Sequence, residues 1–147
     1  MIFKGRHEHT LDAKGRVFIP AEYRGGLGQT FVVTRAFRDP CLWVFSAEAF
    51  EALSAKMEDF SLLDDSTQSL ERMLYNSACD VEPDRQGRIL LSADLRAYAG
   101  LTKDVVITGS RNRLEIWDKA LWAEQHERDL AAFGETLKTL QERGVKI

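Results

Sequence analysis

The sequence predicts an α+β fold in which two copies of one strand-rich unit share a core, with connector and C-terminal helices added. Three observations indicate this fold. The pattern Asp-x-x-Gly-Arg occurs at residues 12–16 and again, 72 positions later, at residues 84–88. A short apolar run follows each copy of the pattern, as expected of strands that leave a turn. Stretches with helical periodicity lie between the copies and after the second one.

The two copies align at one offset. When residues 11–24 are set against residues 83–96, five of 14 positions are identical. Each copy has about 45 residues, a size at which an isolated core is marginal. We therefore expect the copies to bury their apolar faces against each other. The identical pairs are Asp12 and Asp84, Gly15 and Gly87, Arg16 and Arg88, Ala21 and Ala93, and Arg24 and Arg96.

The first half of each copy is predicted to run from a turn to a strand to a short helix. Residues 17–19 and 89–91 are the apolar strands, and the glycine-containing turn before each is typical of a hairpin. Pro20 suits the first position of the following helix, and Ser92 suits an N-cap. The glycines placed to end these helices are Gly25 and Gly100.

The second half of each copy is predicted to contain two strands and a helix. Residues 31–34 and 105–108 are rich in β-branched side chains, which strands favour. After a loop in each copy, strands resume around Trp43 and Ile116. The caps of the helices that follow are predicted to be Ser46 and Asp118.

Two further helices lie outside these units. One starts at Asp65 and is a connector with Leu70, Met73 and Leu74 on one face. The other is an amphipathic tail that reaches Gly144, and its pattern fits either packing on its own domain or binding a partner. Its apolar residues are Leu130, Phe133, Leu137 and Leu140. The predicted segments are repeat 1 at 5–50, a helical connector at 51–78, repeat 2 at 79–122 and the tail at 123–147.

Composition is typical of a soluble globular protein, with 44% hydrophobic and 29% charged residues and a net charge of −3. The charge is uneven: residues 1–38 have seven Lys or Arg and three Asp or Glu, whereas residues 39–80 have two and nine. We expect an anionic partner to meet the first segment. No apolar run approaches the ~20 residues of a membrane span, and the N-terminus lacks a secretory signal. A cytoplasmic protein with no membrane partner is expected.

The repeated motif combines a turn with long cationic side chains. Gly15 and Gly87 tolerate the positive φ of a tight turn, while Asp12 and Asp84 can accept bonds from its backbone amides. One interpretation is that each Asp pairs with the following Arg and braces a hairpin. The other is that two protruding β-ribbons present donors to double-stranded DNA, whose major groove admits such ribbons. The donors are Lys14, Arg16, Arg85, Gln86 and Arg88.

The segments "DAKGRVFIPAEYR" and "DRQGRILLSADLR" resemble the signature of the AbrB-like, swapped-hairpin transcription factors. Two copies in one chain, with "HTLDAKGR" before the first and "LEIWD" after the second, resemble the MraZ family of bacterial regulators. That family is associated with the division and cell-wall gene cluster. The second copy departs from the first by having Ser92 in place of Pro20 and Gln86 in place of Lys14.

The resemblance implies two hairpins interleaved into one barrel-like core within a single chain. It implies sequence-specific binding to short tandem DNA repeats near promoters, nucleoid association and assembly into a ring-shaped homo-oligomer. The DNA contacts would fall on Lys14 and Arg16, and on Arg85 and Arg88.

Two other classes of function are open to the sequence. An enzyme has little support: His7 and His9 flank Glu8, but no third ligand or nucleophile is spaced to join them, and no P-loop or dinucleotide motif is present. No catalytic residue, metal or cofactor is therefore expected. A protein-binding oligomeric scaffold or antitoxin-like partner would use the acidic connector and apolar tail. The aromatic and thiol side chains predicted to be buried are Trp43, Trp117, Trp122, Cys41 and Cys79.

Overall fold

The computed structural model describes all 147 residues and contains eight strands and five α-helices. The strands are β1 (Arg6–Thr10), β2 (Arg16–Phe18), β3 (Phe31–Arg35), β4 (Leu42–Ser46), β5 (Cys79–Val81), β6 (Arg88–Leu90), β7 (Asp104–Gly109) and β8 (Leu114–Asp118). The helices are α1 (Ala21–Leu27), α2 (Ala47–Ala55), α3 (Asp65–Ser77), α4 (Ala93–Ala99) and α5 (Lys119–Glu142), with a 3₁₀ helix at Lys56–Asp59. The α+β prediction is confirmed.

The strands are exchanged between the two copies. Six of them form one antiparallel sheet in the order β1-β7-β8-β4-β3-β5, and the other two form a separate β2–β6 ribbon. Strand β1 of the first copy thus pairs with β7 of the second, while β5 of the second pairs with β3 of the first. Neither copy has a complete sheet of its own. The exchange of strands agrees with the interleaving that the resemblance implies, but the strands form a sheet and a separate ribbon and not a closed barrel.

The register of the ladders gives the fold an approximate two-fold axis. Val17 faces Ile89 at the centre of the β2–β6 ribbon, and Trp43 faces Glu115 at the centre of the β4–β8 pair. The members of each pair are separated by the repeat offset of 72. The axis therefore passes through both pairs and relates the first copy to the second.

One core serves both copies, as predicted. It lies between the ribbon and one face of the six-stranded sheet, and its main cluster contains 17 buried residues. Val17 and Ile89 are fully buried there. Burying a side chain of this size contributes about 1.5–3 kcal/mol relative to leaving it exposed, and each copy obtains that burial from the other. Helices α2, α3 and the start of α5 pack on the opposite face of the sheet.

The strands that were expected to pair with each other in hairpins pair with other strands instead. Strands β1 and β2 form no ladder with each other, because β1 continues along β7 and β2 pairs with β6. The Leu11 amide still bonds the Lys103 carbonyl at 2.7 Å, which keeps the chain on the sheet until the turn begins. An isolated three-residue strand has too little ladder to be stable, so each strand is completed by its counterpart from the other copy.

Most helix boundaries agree with the sequence predictions, and two do not. Pro20 lies just before α1 at the N-cap position and not at the first helical position. The Ser46, Ser92 and Asp118 side chains accept the expected capping bonds. Gly100 ends α4 with a left-handed φ of 62°. Gly25 does not end α1, which continues to Leu27. Glycine at position 26 is needed within the helix because Phe3 packs there, and a Cβ would lie 2.8 Å from the Phe3 ring.

The C-terminal helix joins two predicted elements. The helix after β8 and the tail form one 24-residue α5, about 36 Å long at 1.5 Å per residue. Leu130 and Phe133 are 65% and 60% exposed, so this part of the helix packs on nothing in the chain. The predicted boundaries at 50 and 122 fall inside α2 and α5. None of the five helices combines the length and apolar character needed to cross a bilayer.

The expectations for the aromatic and thiol side chains hold in part. Trp117 and Cys41 are buried together, whereas Trp43 and Trp122 are half-buried and pack around them. Burial raises the pKa of the Cys41 thiol far above its usual value. Cys79 is half-buried on strand β5, and neither cysteine forms a disulfide.

The exchange of strands predicts that the copies cannot fold alone. Residues 1–78 and residues 79–147, expressed separately, should each be unfolded or should self-associate, because each lacks the partner of its outer strand and of its ribbon strand. Mixing the fragments should restore dispersed amide signals in a ¹H–¹⁵N spectrum. A well-dispersed spectrum from either fragment as a monomer would contradict the interdependence of the copies.

Candidate nucleic-acid interface

The first Asp-x-x-Gly-Arg motif is a tight turn held by its aspartate. The Gly15 amide donates to the Asp12 carbonyl at 3.0 Å, and Gly15 has a φ of 82°, which favours glycine. Asp12 Oδ1 accepts hydrogen bonds from the backbone amides of Lys14 at 2.9 Å and Arg16 at 2.8 Å. The carboxylate therefore fixes the path of the chain across the turn.

The second motif repeats this geometry. Gly87 has a φ of 83°, and its amide bonds the Asp84 carbonyl at 2.9 Å. Asp84 Oδ1 accepts bonds from the Gln86 and Arg88 amides, both at 2.9 Å. The substitution of Lys14 by Gln86 thus leaves the backbone of the turn unchanged, because both residues contribute an amide there.

The second oxygen of each aspartate holds an arginine side chain. Arg16 Nε lies 2.7 Å from Asp12 Oδ2, and Arg88 Nε lies 2.9 Å from Asp84 Oδ2. The two sites also touch, since Arg88 Nη1 is 3.6 Å from Asp12 Oδ2. Backbone hydrogen bonds from Arg16 and Arg88 are the main cause that holds the pKa of Asp12 and of Asp84 below the usual value.

The ribbon brings the two turns together and orients their arginines outward. Each turn lies beside the other copy's strand: Leu91 donates to the Gly15 carbonyl at 3.0 Å, and Ile19 donates to the Gly87 carbonyl at 2.9 Å. Because Val17 and Ile89 face the core, the alternation of side chains places their neighbours on the outer face of the ribbon. Those neighbours are Arg16, Phe18, Arg88 and Leu90.

The predicted DNA-binding residues therefore gather on one surface. Lys14 and Arg85 are exposed within the turns and form no ion pair, while Arg16 and Arg88 are half-buried and paired with carboxylates. The turns are not the tips of separate protruding ribbons. They flank a single short ribbon, because the three-residue strands pair between the copies.

Two further arginines belong to this surface and were missed as site residues. The Arg96 guanidinium lies on Gly15, where a Cβ would be 2.7 Å from Arg96 Cζ, and Arg24 lies on Gly87 in the same way at 2.8 Å. Neither arginine forms an ion pair. Each belongs to one copy and covers the turn of the other. The sequence did contain an indication that these two arginines belong to the site, since Arg24 and Arg96 are one of the five identical pairs of the repeat.

The histidines near the first turn make packing contacts. His7 contacts the Glu22 carboxylate, and the His9 ring lies 5.0 Å from the Phe18 ring. Burial, followed by the charge of His7, lowers the pKa of His9. Both side chains are thus part of the wall beside strand β2.

The depressed carboxyl pKa values predict how the turns respond to acid. A folded-state pKa below the unfolded value stabilises the protein above the unfolded pKa of about 3.9, and this contribution is lost as pH falls through the folded value. The double variant Asp12→Asn with Asp84→Asn should have a lower urea midpoint than the wild type at pH 7. Its urea midpoint should also decrease less than that of the wild type between pH 5 and pH 2. An Asp94→Asn control at an exposed helix position should keep the wild-type pH dependence. Equal pH profiles for the double variant and the wild type would refute the bracing role.

Comparison with known proteins identifies the family. The family model described as "MraZ protein, putative antitoxin-like" matches residues 2–73 and again residues 74–144. The two matches divide the chain near the end of α3, close to the predicted start of the second repeat at residue 79.

Relatives of the same name are similar over most of the chain. "Transcriptional regulator MraZ" of Acetivibrio thermocellus is 44% identical over 82% of this chain and 84% of its own length. The protein of that name from Symbiobacterium thermophilum is 46% identical over 84% of this chain and 88% of its own length. The one from Thermoanaerobacter pseudethanolicus is 40% identical over 96% of this chain and 98% of its own length. With both halves matched by the family model and these identities over most of its length, the chain belongs to the MraZ family.

Proposed function

We propose that the chain is a transcriptional regulator that binds duplex DNA in a sequence-specific manner through its two Asp-x-x-Gly-Arg turns. The observation that carries this proposal is the gathering of both turns, with their outward-facing arginines, on one short ribbon. The relatives above are named transcriptional regulators, which supports the same class. Membership of this family also agrees with the expectation that the chain is not an enzyme.

The geometry suits recognition because the arginines are already oriented. Asp12 and Asp84 each hold the Nε of their own arginine, which leaves the terminal nitrogens of Arg16 without an ion-pair partner, while Arg88 Nη1 lies 3.6 Å from Asp12 Oδ2. A side chain held in this way loses less conformational entropy on binding than a free one. The terminal nitrogens of arginine can pair with guanine O6 and N7, and exposed Lys14 and Arg85 can neutralise phosphates beside them.

The proposed DNA contact is confined to this surface. The acidic segment 39–80 repels DNA elsewhere, so non-specific adhesion along the whole protein is disfavoured. A ribbon of three residue pairs is about 10 Å long, which compares with a major groove about 12 Å wide. We infer that the ribbon's outer face, with a turn at each end, is the part that enters the groove.

A homo-oligomer, ring-shaped as the family resemblance implies, is part of the proposal. One ribbon offers few cationic groups, and a handful of phosphate interactions gives only the ~10⁻⁴ to 10⁻⁶ M range of non-specific binding. Several ribbons on one assembly would bind tandem repeats with an avidity gain of roughly 10² to 10⁴. The exposed Leu130 and Phe133 stripe of α5 supplies a surface for self-association. A cytoplasmic, nucleoid-associated location follows from this activity.

An alternative is a protein-binding scaffold or antitoxin-like partner. The observation in its favour is the apolar surface of the connector, where Leu62 and Leu63 are 68% and 93% exposed. A salt titration of duplex binding separates the two functions. A regulator should bind DNA with an affinity that falls steeply as salt rises, whereas a scaffold should show no saturable DNA binding.

The first test removes the cations of one turn. Lys14→Ala with Arg16→Ala should weaken specific DNA binding by about 1–3 kcal/mol for each bidentate arginine–base pair that is removed, and should flatten the dependence of affinity on salt. Thermal unfolding should change little, because neither side chain is in the core. Fluorescence anisotropy with a labelled duplex and calorimetry on the same samples provide the measurement.

A matched control removes the same charges from the connector. Lys56→Ala with Arg72→Ala takes one lysine and one arginine from exposed positions outside the turns. This variant should keep wild-type affinity and salt dependence. Equal reductions of affinity in the two double variants would show that net charge, and not the turn, governs binding.

The second test concerns the tail. Phe133→Asp with Leu137→Asp should lower the oligomer mass and the affinity for tandem sites, while affinity for a single site should change little. The control Ala131→Asp with Thr139→Asp adds the same charge to another side of α5 and should keep both properties. Light scattering and binding on the same samples would reject the avidity proposal if a monomeric variant bound tandem sites as tightly as the wild type.

A further inference from the structure

The two outer strands hold equivalent places but carry different side chains. Strands β1 and β5 pair in the same way with β7 and β3, so that His7 corresponds to Cys79 and His9 corresponds to Val81. Both correspondences have the repeat offset of 72. The two copies can therefore be compared residue by residue in the space between the outer strand and the ribbon.

In the first copy, aromatic rings fill this space. The His9 ring lies 5.0 Å from the Phe18 ring, and the His7 ring lies 5.3 Å from the Tyr23 ring. The Arg24 guanidinium sits 5.5 Å from the Phe18 ring and closes the stack. Rings packed at these separations are the usual filling of a wall between two elements.

In the second copy, smaller residues leave the space open. Cys79, Val81, Leu90 and Leu95 stand where the first copy has His7, His9, Phe18 and Tyr23, so all four rings are missing. The result is a cleft of about 560 Å³ beside strand β5. Leu90 lies in it and is 58% exposed. This volume is within the range of about 300–1,000 Å³ that small-molecule sites occupy.

Two cations without ion-pair partners line the cleft. Lys14 comes from the first copy's turn, and Arg96 comes from helix α4. Arg96 Nε donates to the Leu91 carbonyl at 3.2 Å, which leaves its terminal nitrogens for another acceptor. Two acidic residues also line the cleft. Asp80 lies between two half-buried neighbours on β5, so its side chain points to the face of the sheet opposite to theirs. The Glu82 carboxylate accepts a hydrogen bond from the Thr30 hydroxyl at 3.4 Å.

We propose that this cleft binds an aromatic monocarboxylate. The ring would lie against Val81 and Leu90, in the place that the rings of the first copy occupy. The carboxylate would pair with Lys14 and Arg96, since arginine forms two parallel bonds with a carboxylate. The combination of an apolar wall with two lining cations that form no ion pair selects an anion that carries a flat apolar group.

Ligand binding in the cleft competes with DNA for two side chains. Lys14 and Arg96 line the cleft and also belong to the candidate DNA surface, so a bound carboxylate withdraws both cations from phosphate. This regulatory part rests on the proposed function. The proposal that the cleft binds a carboxylate does not rest on the proposed function, and the two parts are tested by separate measurements.

The direct test titrates naphthalene-2-carboxylate into the full-length ¹⁵N-labelled protein, with naphthalene-2-carboxamide as the uncharged control. Saturable shifts should be confined to amides of residues 79–82, 90–93 and the first turn. The acid should bind about tenfold more tightly than the amide, because only the acid forms charge-assisted bonds. Absence of saturation, or equal affinity for acid and amide, would overturn the proposal.

A pair of matched variants locates the site. Leu90→Phe introduces the residue of the first copy and should fill the cleft, so that binding of the acid is abolished. Leu63→Phe makes the same change on the exposed connector and should keep wild-type binding. Both changes lie at exposed positions and are expected to leave folding intact. Undiminished binding by Leu90→Phe would contradict the assignment.

The regulatory part is tested with labelled DNA. Each protein is compared with its own DNA affinity in the absence of acid: saturating acid should weaken DNA binding by the wild type and by Leu63→Phe, and should leave the affinity of Leu90→Phe at its own acid-free value. Unchanged DNA affinity in the wild type with the cleft occupied would overturn the coupling to DNA while leaving the carboxylate site in place.

Discussion

The pairing of β2 with β6 is the interaction on which the rest of the structure depends. Each of these strands has only three residues, and each obtains both its ladder and the burial of its central side chain from the other copy. The same exchange fixes β1 on β7 and β5 on β3. Two units that are each too small to hold a core thus become one domain.

This pairing also creates the candidate site. When Val17 and Ile89 are buried against each other, their neighbours Arg16 and Arg88 must face solvent on the opposite side of the ribbon. The turns that precede them are then held at the two ends of this short ribbon, and the carboxylate of Asp12 lies within 3.6 Å of Arg88. Arg24 and Arg96 cover the glycines from across the axis, which explains why a side chain at Gly15 or Gly87 would collide. Stability and surface chemistry therefore share the same residues.

The sequence was sufficient to predict the repeat and most elements, because each depends on local signals. Helix caps such as Ser92 and turn glycines act within a few residues of the chain. The partner of β2 could not be predicted from local pattern, since an apolar three-residue run pairs equally well with either copy. Gly25 was mistaken for a helix end. Helix α1 continues through Gly26, which lies against Phe3, and ends before Gly28, whose φ is 84°. The cleft beside Cys79 became visible only when equivalent positions were compared in space.

The paired turns are proposed to form a surface that reads DNA sequence. This role is tested most directly by selecting fragments from a random duplex pool with the purified wild-type protein and sequencing them. We expect enrichment of a short guanine-containing motif present in closely spaced tandem copies, because arginine reads guanine in the major groove and several ribbons act together. A selected pool with the same sequence composition as the input pool would contradict the proposal that the paired turns read DNA sequence.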